Sequence, residues 1–239
     1  MQPVPTDHIT HYRIDAEAFD YFEVQGGADA DATRRIRDGV CAAARIPPGA
    51  LVLDAGSGNG WLARAIPDAR IVSVDLGVRN LRRIRSENPL ARVVCADITR
   101  LPFREGTFSH VVASEVIEHV PDPDRAIRET ARCLERGGRL TVSTPYRERL
   151  RYSLCIHCNT PTPANAHLHS FDEQRHRRMV EAAGMHSIRT TTIQNKVFIA
   201  SRLSWLLRFL PYWLWRLVDR FFMFVVQKAH TIIVTSIHP

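Results

Sequence analysis

The chain has 239 residues, 45% hydrophobic and 24% charged, a balance that excludes a disordered or collagen-like polymer. One domain of roughly 200 residues with an appendage accounts for that length. The formal charge is +7, and +5 of it lies between Lys196 and Pro239, where six basic residues stand against the single acid Asp219, alongside Trp205, Trp213 and Trp215.

In chain order, residues 1–28 are polar around an aromatic cluster of Phe19, Tyr21 and Phe22, without the basic and apolar regions of a signal peptide. A helical pattern begins at Asp31, continues through Ile36, Val40 and Ala43, and is stopped by Pro47-Pro48. Short β-rich runs follow (Leu51-Val-Leu, Ile71-Val-Ser-Val, Val93-Val-Cys, Val111-Val-Ala, Leu140-Thr-Val), alternating with helical stretches at 61–66, 78–87 and 124–135. Apolar strands separated by helices imply a parallel sheet covered on both faces, so a doubly wound α/β domain is expected over about 30–195. Residues 145–170, rich in Pro, His and Cys, interrupt the alternation and predict a long ordered loop. A helix from Phe171 to Ala183, a strand at 188–193, a basic-aromatic helical insert at 198–226 and a last strand at 229–237 complete the reading. The five cysteines are odd in number and scattered, which fits a reducing cytoplasm better than a disulfide framework.

The loop after the first strand reads Asp54-Ala-Gly56-Ser-Gly58-Asn-Gly60-Trp-Leu-Ala63. Glycines permit positive φ and close approach of a ligand to the backbone. As a glycine pattern it also satisfies the dinucleotide fingerprint, but Asp54 would sit where a pyrophosphate needs positive potential. It suits an ammonium instead. The second strand ends in Asp75-Leu76, about 20 residues on, where a carboxylate can accept two ribose hydroxyls. The third ends in Asp97-Ile98, which can offer a carboxylate to an exocyclic amine and an apolar side chain to a purine. Taken singly, each acid is an ordinary turn or capping residue; three in register describe an adenosine with a cationic amino-acid tail.

These segments, with Cys95-Ala-Asp97-Ile-Thr-Arg-Leu-Pro-Phe103, Phe108-Ser-His-Val-Val-Ala-Ser-Glu-Val-Ile-Glu-His119 and Leu134-Glu-Arg-Gly-Gly138, resemble the class I S-adenosylmethionine-dependent methyltransferases, in particular the ubiquinone- and menaquinone-biosynthesis branch. The resemblance covers about 45–195. It implies a seven-stranded Rossmann-like sheet whose last strand, here 231–236, inserts antiparallel, preceded by an N-terminal cap over 1–30 and filling a methyltransferase domain over 31–239. It implies S-adenosyl-L-methionine as cofactor, with Asp54, Gly56 and Gly58 at the methionine end, Asp75 and Leu76 at the ribose, Asp97 and Ile98 at the adenine, and Ser114 as the floor.

Beyond the cofactor, His119 is the candidate general base; the alternative is a structural role for Glu118-His119 before Pro121. Glu115-Val-Ile-Glu118-His119 also resembles the E-x-x-E-H pattern of metal-dependent small-RNA and some quinone methyltransferases, to be completed by His167 or His169. Cys155 and Cys158, with His167 and His169, offer the competing donor set of a tetrahedral zinc site, though the histidine spacing departs from that of zinc fingers.

In the insert, Trp213, Leu217, Phe221 and Phe224 form an apolar stripe, and Arg216 with Arg220 predicts a narrow cationic face. Two readings stand: a lid or peripheral membrane contact, or a helix packed on the sheet or in a dimer seam. No uncharged apolar run reaches the ~18 residues of a spanning helix. The expectation is a cytoplasmic, membrane-associated enzyme methylating a small lipophilic acceptor such as a quinol, lipid or polyketide. The alternatives are an RNA methyltransferase, disfavoured because no RNA-binding module is visible, and a non-catalytic cofactor-binding or membrane-docking protein.

Overall fold

The computed structural model describes residues 7–20, 22, 26–156, 159–201 and 203–239. Tyr21 of the predicted aromatic cluster and Cys158 of the predicted zinc site lie outside the described residues. Helices α1 (His8–Ala18) and α2 (Gly27–Ala44) lead into β1 (Leu51–Ala55), α3 (Trp61–Ala65), β2 (Arg70–Asp75), α4 (Val78–Glu87), β3 (Arg92–Cys95) and β4 (Phe108–Ser114). After a 3-10 turn, Ile117–His119, come α5 (Pro123–Arg132), β5 (Leu134–Pro145), the hairpin β6 (Tyr152–Leu154) and β7 (Pro161–Pro163), α6 (Glu173–Ala182) and β8 (His186–Asn195). The insert contains α7 (Lys196–Ala200), α8 (Leu203–Leu206) and α9 (Tyr212–Val225), and β9 (Ala229–Ile237) follows.

Seven strands form one sheet in the order β3-β2-β1-β4-β5-β9-β8. The five on the β3 side pair in parallel, and β9 runs antiparallel to both its neighbours. This is the doubly wound sheet that the sequence predicts, with the inserted antiparallel strand that the family resemblance implies. Its chain order reverses direction between β1 and β4, where ligands of open α/β sheets bind beyond the carboxyl strand ends. One face packs Leu53, Phe108, Leu140 and Val142 with α5 and α6 residues such as Ile127 and Met179. The other packs Val52, Val112 and Ile233 with Val40 and Ala44 of α2 and Leu62 of α3. Central strands apolar on both faces have no solvent side, hence their continuous rather than alternating sequence pattern.

Local signals set several boundaries. Asp122 and Asp172 cap α5 and α6 through the N–H groups of Arg125 and Arg175, each at 2.9 Å, so the helix read as 171–183 begins after Asp172. The helix read as 124–135 ends at Arg132, because Leu134 pairs with Phe108 and begins β5. Within 145–170, the expected loop contains the small hairpin of β6 and β7.

The insert is anchored rather than hanging. Asp219, fully buried, accepts N–H bonds from Gln194 (3.1 Å) and Asn195 (2.8 Å) at the end of β8 and pairs with Arg216. Arg216 also donates to the Thr192 carbonyl, which corrects the expected cationic face: Arg216 turns inward and only Arg220 points out. Fully buried Arg35 donates to the carbonyls of Leu207, Arg208 and Leu210, supplying partners for the backbone between α8 and α9. The predicted apolar stripe is the outward one. Trp213, Leu217, Phe221 and Phe224 are 54–87% exposed, while Trp215, Asp219 and Phe222 face the body.

Candidate functional site

The glycine loop is shaped by its neighbours. Gly56 and Ser57 donate N–H bonds to the Val74 carbonyl (2.8 and 2.9 Å), which ties the loop to the end of β2. Gly56 has φ +79°, and a Cβ there would meet Val116 Cγ2 at 2.4 Å. Gly58 has φ +51° and nothing within 4 Å of where a Cβ would stand, so its backbone faces open space. Asp54, at the end of β1, is 2% exposed and its Oδ2 has no hydrogen-bond partner. Burial, reinforced by the neighbouring Asp75, pushes its pKa up to about 7. A buried carboxylate beside an open backbone cradle fits a cationic group and opposes a phosphate.

Asp75 accepts the N–H groups of Gly58 and Gly77, both at 2.8 Å, one on each oxygen. Each oxygen retains a lone pair for a hydroxyl. Burial raises the Asp75 pKa while those N–H donors pull it down. Leu76 follows at the strand end, half-buried. Asp97 accepts the Thr99 N–H at 2.8 Å, the local turn bond that its residue type favours. Ile98 is packed in the core at 7% exposure, so it has less surface to offer a purine than its sequence position implies. Ser114 Oγ lies 3.0 Å from Ser143 Oγ across the β4–β5 ladder, at the sheet's carboxyl edge. The predicted cofactor residues therefore share that edge around the β1–β4 reversal.

The second half of the site joins the turn after β4 to the arm 164–169. Leu168 N–H donates to the Glu118 carbonyl at 2.8 Å. His119 Nδ1 lies 3.3 Å from the Ala166 carbonyl, which can only accept, so Nδ1 carries the proton and Nε2 has a free lone pair. Burial and the adjacent His167 lower the His119 pKa to about 4, leaving the ring neutral near pH 7. His167 Nδ1 is held by the Glu148 carboxylate at 2.5 Å, which leaves its own Nε2 free, and its ring meets that of His119 edge-on at 4.7 Å. Both Glu118 oxygens are buried without a partner, and burial followed by Glu115 drives its pKa well above the ordinary carboxylate range.

Among the described residues, Glu118, His119 and His167 are the one group of three or more His, Cys, Asp or Glu whose ligand atoms lie within 4.8 Å of one another. This keeps Glu118, His119 and His167 of the E-x-x-E-H expectation but not Glu115, and it parts His167 from Cys155 and His169 of the expected zinc set. His169 turns away, its Nε2–H donating to the Val120 carbonyl at 3.0 Å, and Cys155 sits at the hairpin with its N–H bonded to Thr160. Neither joins His167, and Glu115 lies outside the group as well.

Sequence reasoning missed Tyr12 and Glu148. Tyr12, on α1, packs its ring edge-on against His119 at 5.7 Å with a buried, unpartnered hydroxyl whose pKa burial raises. Glu148 orients His167 from the start of the 145–170 stretch. No local pattern announces either residue, because their positions follow from how α1 and the hairpin arm dock.

Residues 53–142 match a family described as the methyltransferase domain. A probable S-adenosylmethionine-dependent methyltransferase of Mycobacterium tuberculosis is 38% identical over 98 residues, 40% of this chain and 36% of that protein. The ubiquinone biosynthesis O-methyltransferase of Xanthomonas campestris is 34% identical over 122 residues, 48% of this chain and 51% of that protein. The chain thus spans from about a third to about half of the length of these curated relatives. An S-adenosylmethionine-dependent methyltransferase from Mesorhizobium loti shares the fold, with a TM-score of 0.57 and 17% identity over 89% of this chain and 98% of that one.

Proposed function

We propose that the chain, which carries a methyltransferase domain over residues 53–142, moves a methyl group from S-adenosylmethionine to a small lipophilic acceptor. The observation that carries this reading is the buried, unpartnered Asp54 carboxylate beside the open Gly58 backbone. Bound across this edge, the cofactor supplies an electrophilic methyl on a cationic sulfur. Because transfer discharges that cation, the chain's tasks are alignment and exclusion of water. Asp54 takes the ammonium, Gly56 and Gly58 admit the methionine end, Asp75 with Leu76 takes the ribose, Asp97 with Ile98 the adenine, and Ser114 closes the floor. His119, with its proton fixed on Nδ1, uses Nε2 to remove a proton from an acceptor hydroxyl or amine.

The insert supports a lipophilic acceptor and contact with an anionic lipid surface. Its outward face presents Phe209, Trp213, Phe221 and Phe224, and its single acid, Asp219, is buried. No helix of the described residues is long and apolar enough to cross a membrane, so such contact is interfacial.

A second reading is favoured by one observation: Glu118 brings two unpartnered oxygens to two imidazoles whose other nitrogens are already committed. That pattern, with Glu148 orienting His167, suits a divalent cation on Glu118, His119 and His167, which would polarise the acceptor. His119 is then a ligand rather than the base.

Calorimetry with S-adenosylmethionine, followed by labelled-methyl transfer into lipid extract, tests the primary reading. His119→Ala is expected to lower transfer by about 10²–10⁴-fold with cofactor affinity intact; no cofactor binding to the wild type sinks the reading. Elemental analysis after dialysis against manganese or zinc separates the two roles of His119, since the base role requires no bound ion.

A further inference from the structure

The carboxyl end of β5 opens into a second feature that the cofactor residues do not use. A cavity of about 370 Å³ lies between residues 148–151, residues 164–165 and the start of α7. Its lining includes Arg149, Arg151 and Lys196, with Glu148 as the acid. That acid is committed to His167. The neighbouring cation Arg147 is likewise committed, to Glu173 at 3.3 Å. Among the described residues, neither Arg149 nor Arg151 has an acidic partner, and the Lys196 ammonium reaches only the Tyr146 carbonyl at 3.5 Å. Three cations are therefore brought to one concavity against a single carboxylate, Glu148, whose oxygen is engaged by His167.

The walls are defined by backbone as well as by charge. Ala164 N–H donates to the Arg151 carbonyl at 2.8 Å, closing the arm onto the strand exit, and Lys196 N–H donates to the Lys228 carbonyl at 2.7 Å. Asn165, in the lining, holds φ +57°, and Ala166 beside it +54°, a left-handed pair that bends the arm round the cavity. The cavity connects to the candidate chemistry through one chain of contacts: Glu148 in its lining, then His167, then His119.

Resting on the methyl-transfer reading, we propose that this cavity holds an anionic group of the acceptor, a phosphate or carboxylate, gripped by Arg149, Arg151 and Lys196. Guanidinium groups recognise both anions through paired N–H donors. An anion held here is linked to the candidate base through Glu148, His167 and His119, so the acceptor's charge can be fixed at the cavity while its nucleophilic atom meets His119.

Calorimetry with phenyl phosphate, benzoate and phenol, each with wild type and with Arg149→Ala/Arg151→Ala, tests the assignment. Both arginines are exposed, so the variant is expected to fold, and its melting curve checks this. At least one anion should bind the wild type saturably and phenol should not; the double variant should lose about tenfold or more in anion affinity. Lys196→Ala should weaken binding less. Phenol binding as tightly as the anions, no anion binding to the wild type, or an unchanged affinity in the folded double variant overturns the proposal. S-adenosylmethionine is titrated in parallel: its failure to bind the wild type defeats the methyl-transfer reading, whereas retained cofactor binding with no anion binding defeats this one alone. Sedimentation with phosphatidylglycerol vesicles against phosphatidylcholine vesicles identifies the source, because a lipid-borne anion requires the same two arginines for vesicle binding.

Discussion

Two buried aspartates, one in the glycine-loop edge and one in the helical insert, differ in how their charge is met. Asp219 accepts two backbone N–H groups from the end of β8 and pairs with Arg216. Asp54 is equally hidden, yet its Oδ2 has no partner and its pKa is pushed up to about 7. Burying a carboxylate is unfavourable unless something compensates. In the insert the compensation comes from the chain itself, so Asp219 is architecture. At the loop it is missing from the chain, as expected where a ligand supplies it.

The sharpest way to break this contrast is to remove each carboxylate. Asp219→Ala leaves a half-buried guanidinium and two N–H groups without their partner and is expected to cost about 3–5 kcal/mol of stability, read from denaturant melts. Cofactor affinity should survive in the folded fraction. Asp54→Ala should do the reverse: a melting temperature equal to or above that of the wild type, and S-adenosylmethionine affinity lower by about a hundredfold, equivalent to ~2.7 kcal/mol. If Asp54→Ala unfolds the protein while Asp219→Ala does not, the two roles have been exchanged.

A smaller effect sharpens the comparison through pH. A cation binds the ionised form of Asp54, and burial holds that form's pKa near 7 in the free protein. Affinity for the cofactor should be level above pH 7 and fall by up to about tenfold for each unit below it, with proton release detected by calorimetry in buffers of different ionisation enthalpy. Asp54→Asn should abolish that slope. A slope that persists in Asp54→Asn would assign the titration to another group. The smallest effect belongs to the outer stripe: Phe221→Ser with Phe224→Ser should weaken phosphatidylglycerol-vesicle binding while changing stability by about 0.5 kcal/mol or less, because both rings are already solvent-exposed.

The same contrast explains what the sequence made legible. Asp54, Asp75 and Asp97 stand at strand ends, and strand ends in a parallel sheet share one edge by topology, so three local patterns suffice to assemble them. The apolar stripe of α9 was legible too, since helical period depends only on spacing. Its burial was not: Trp215 and Asp219 are the inward face, and Arg216 joins them because a carboxylate and the Thr192 carbonyl wait beneath it. The Cys155, Cys158, His167 and His169 grouping rested on closeness in sequence, but His169 gives its Nε2 proton to Val120 and His167 engages Glu148. Tyr12 reaches His119 from the far end of the chain, a contact that no window of neighbouring residues encodes.

The position of β9 has a consequence for how the molecule is made. β8 touches the sheet only through β9, and β9 supplies the outer partner of β5, some ninety residues earlier in the chain. During synthesis the five parallel strands can pair first, leaving the edge of β5 open. β8 can then join the sheet only after residues 229–237 have emerged. Contacts of that sequence separation form slowly, so closure of the sheet is a late event in folding. For that interval the open β5 edge and the aromatic insert are exposed together, which makes the nascent chain most vulnerable to aggregation just before it is complete enough to fold.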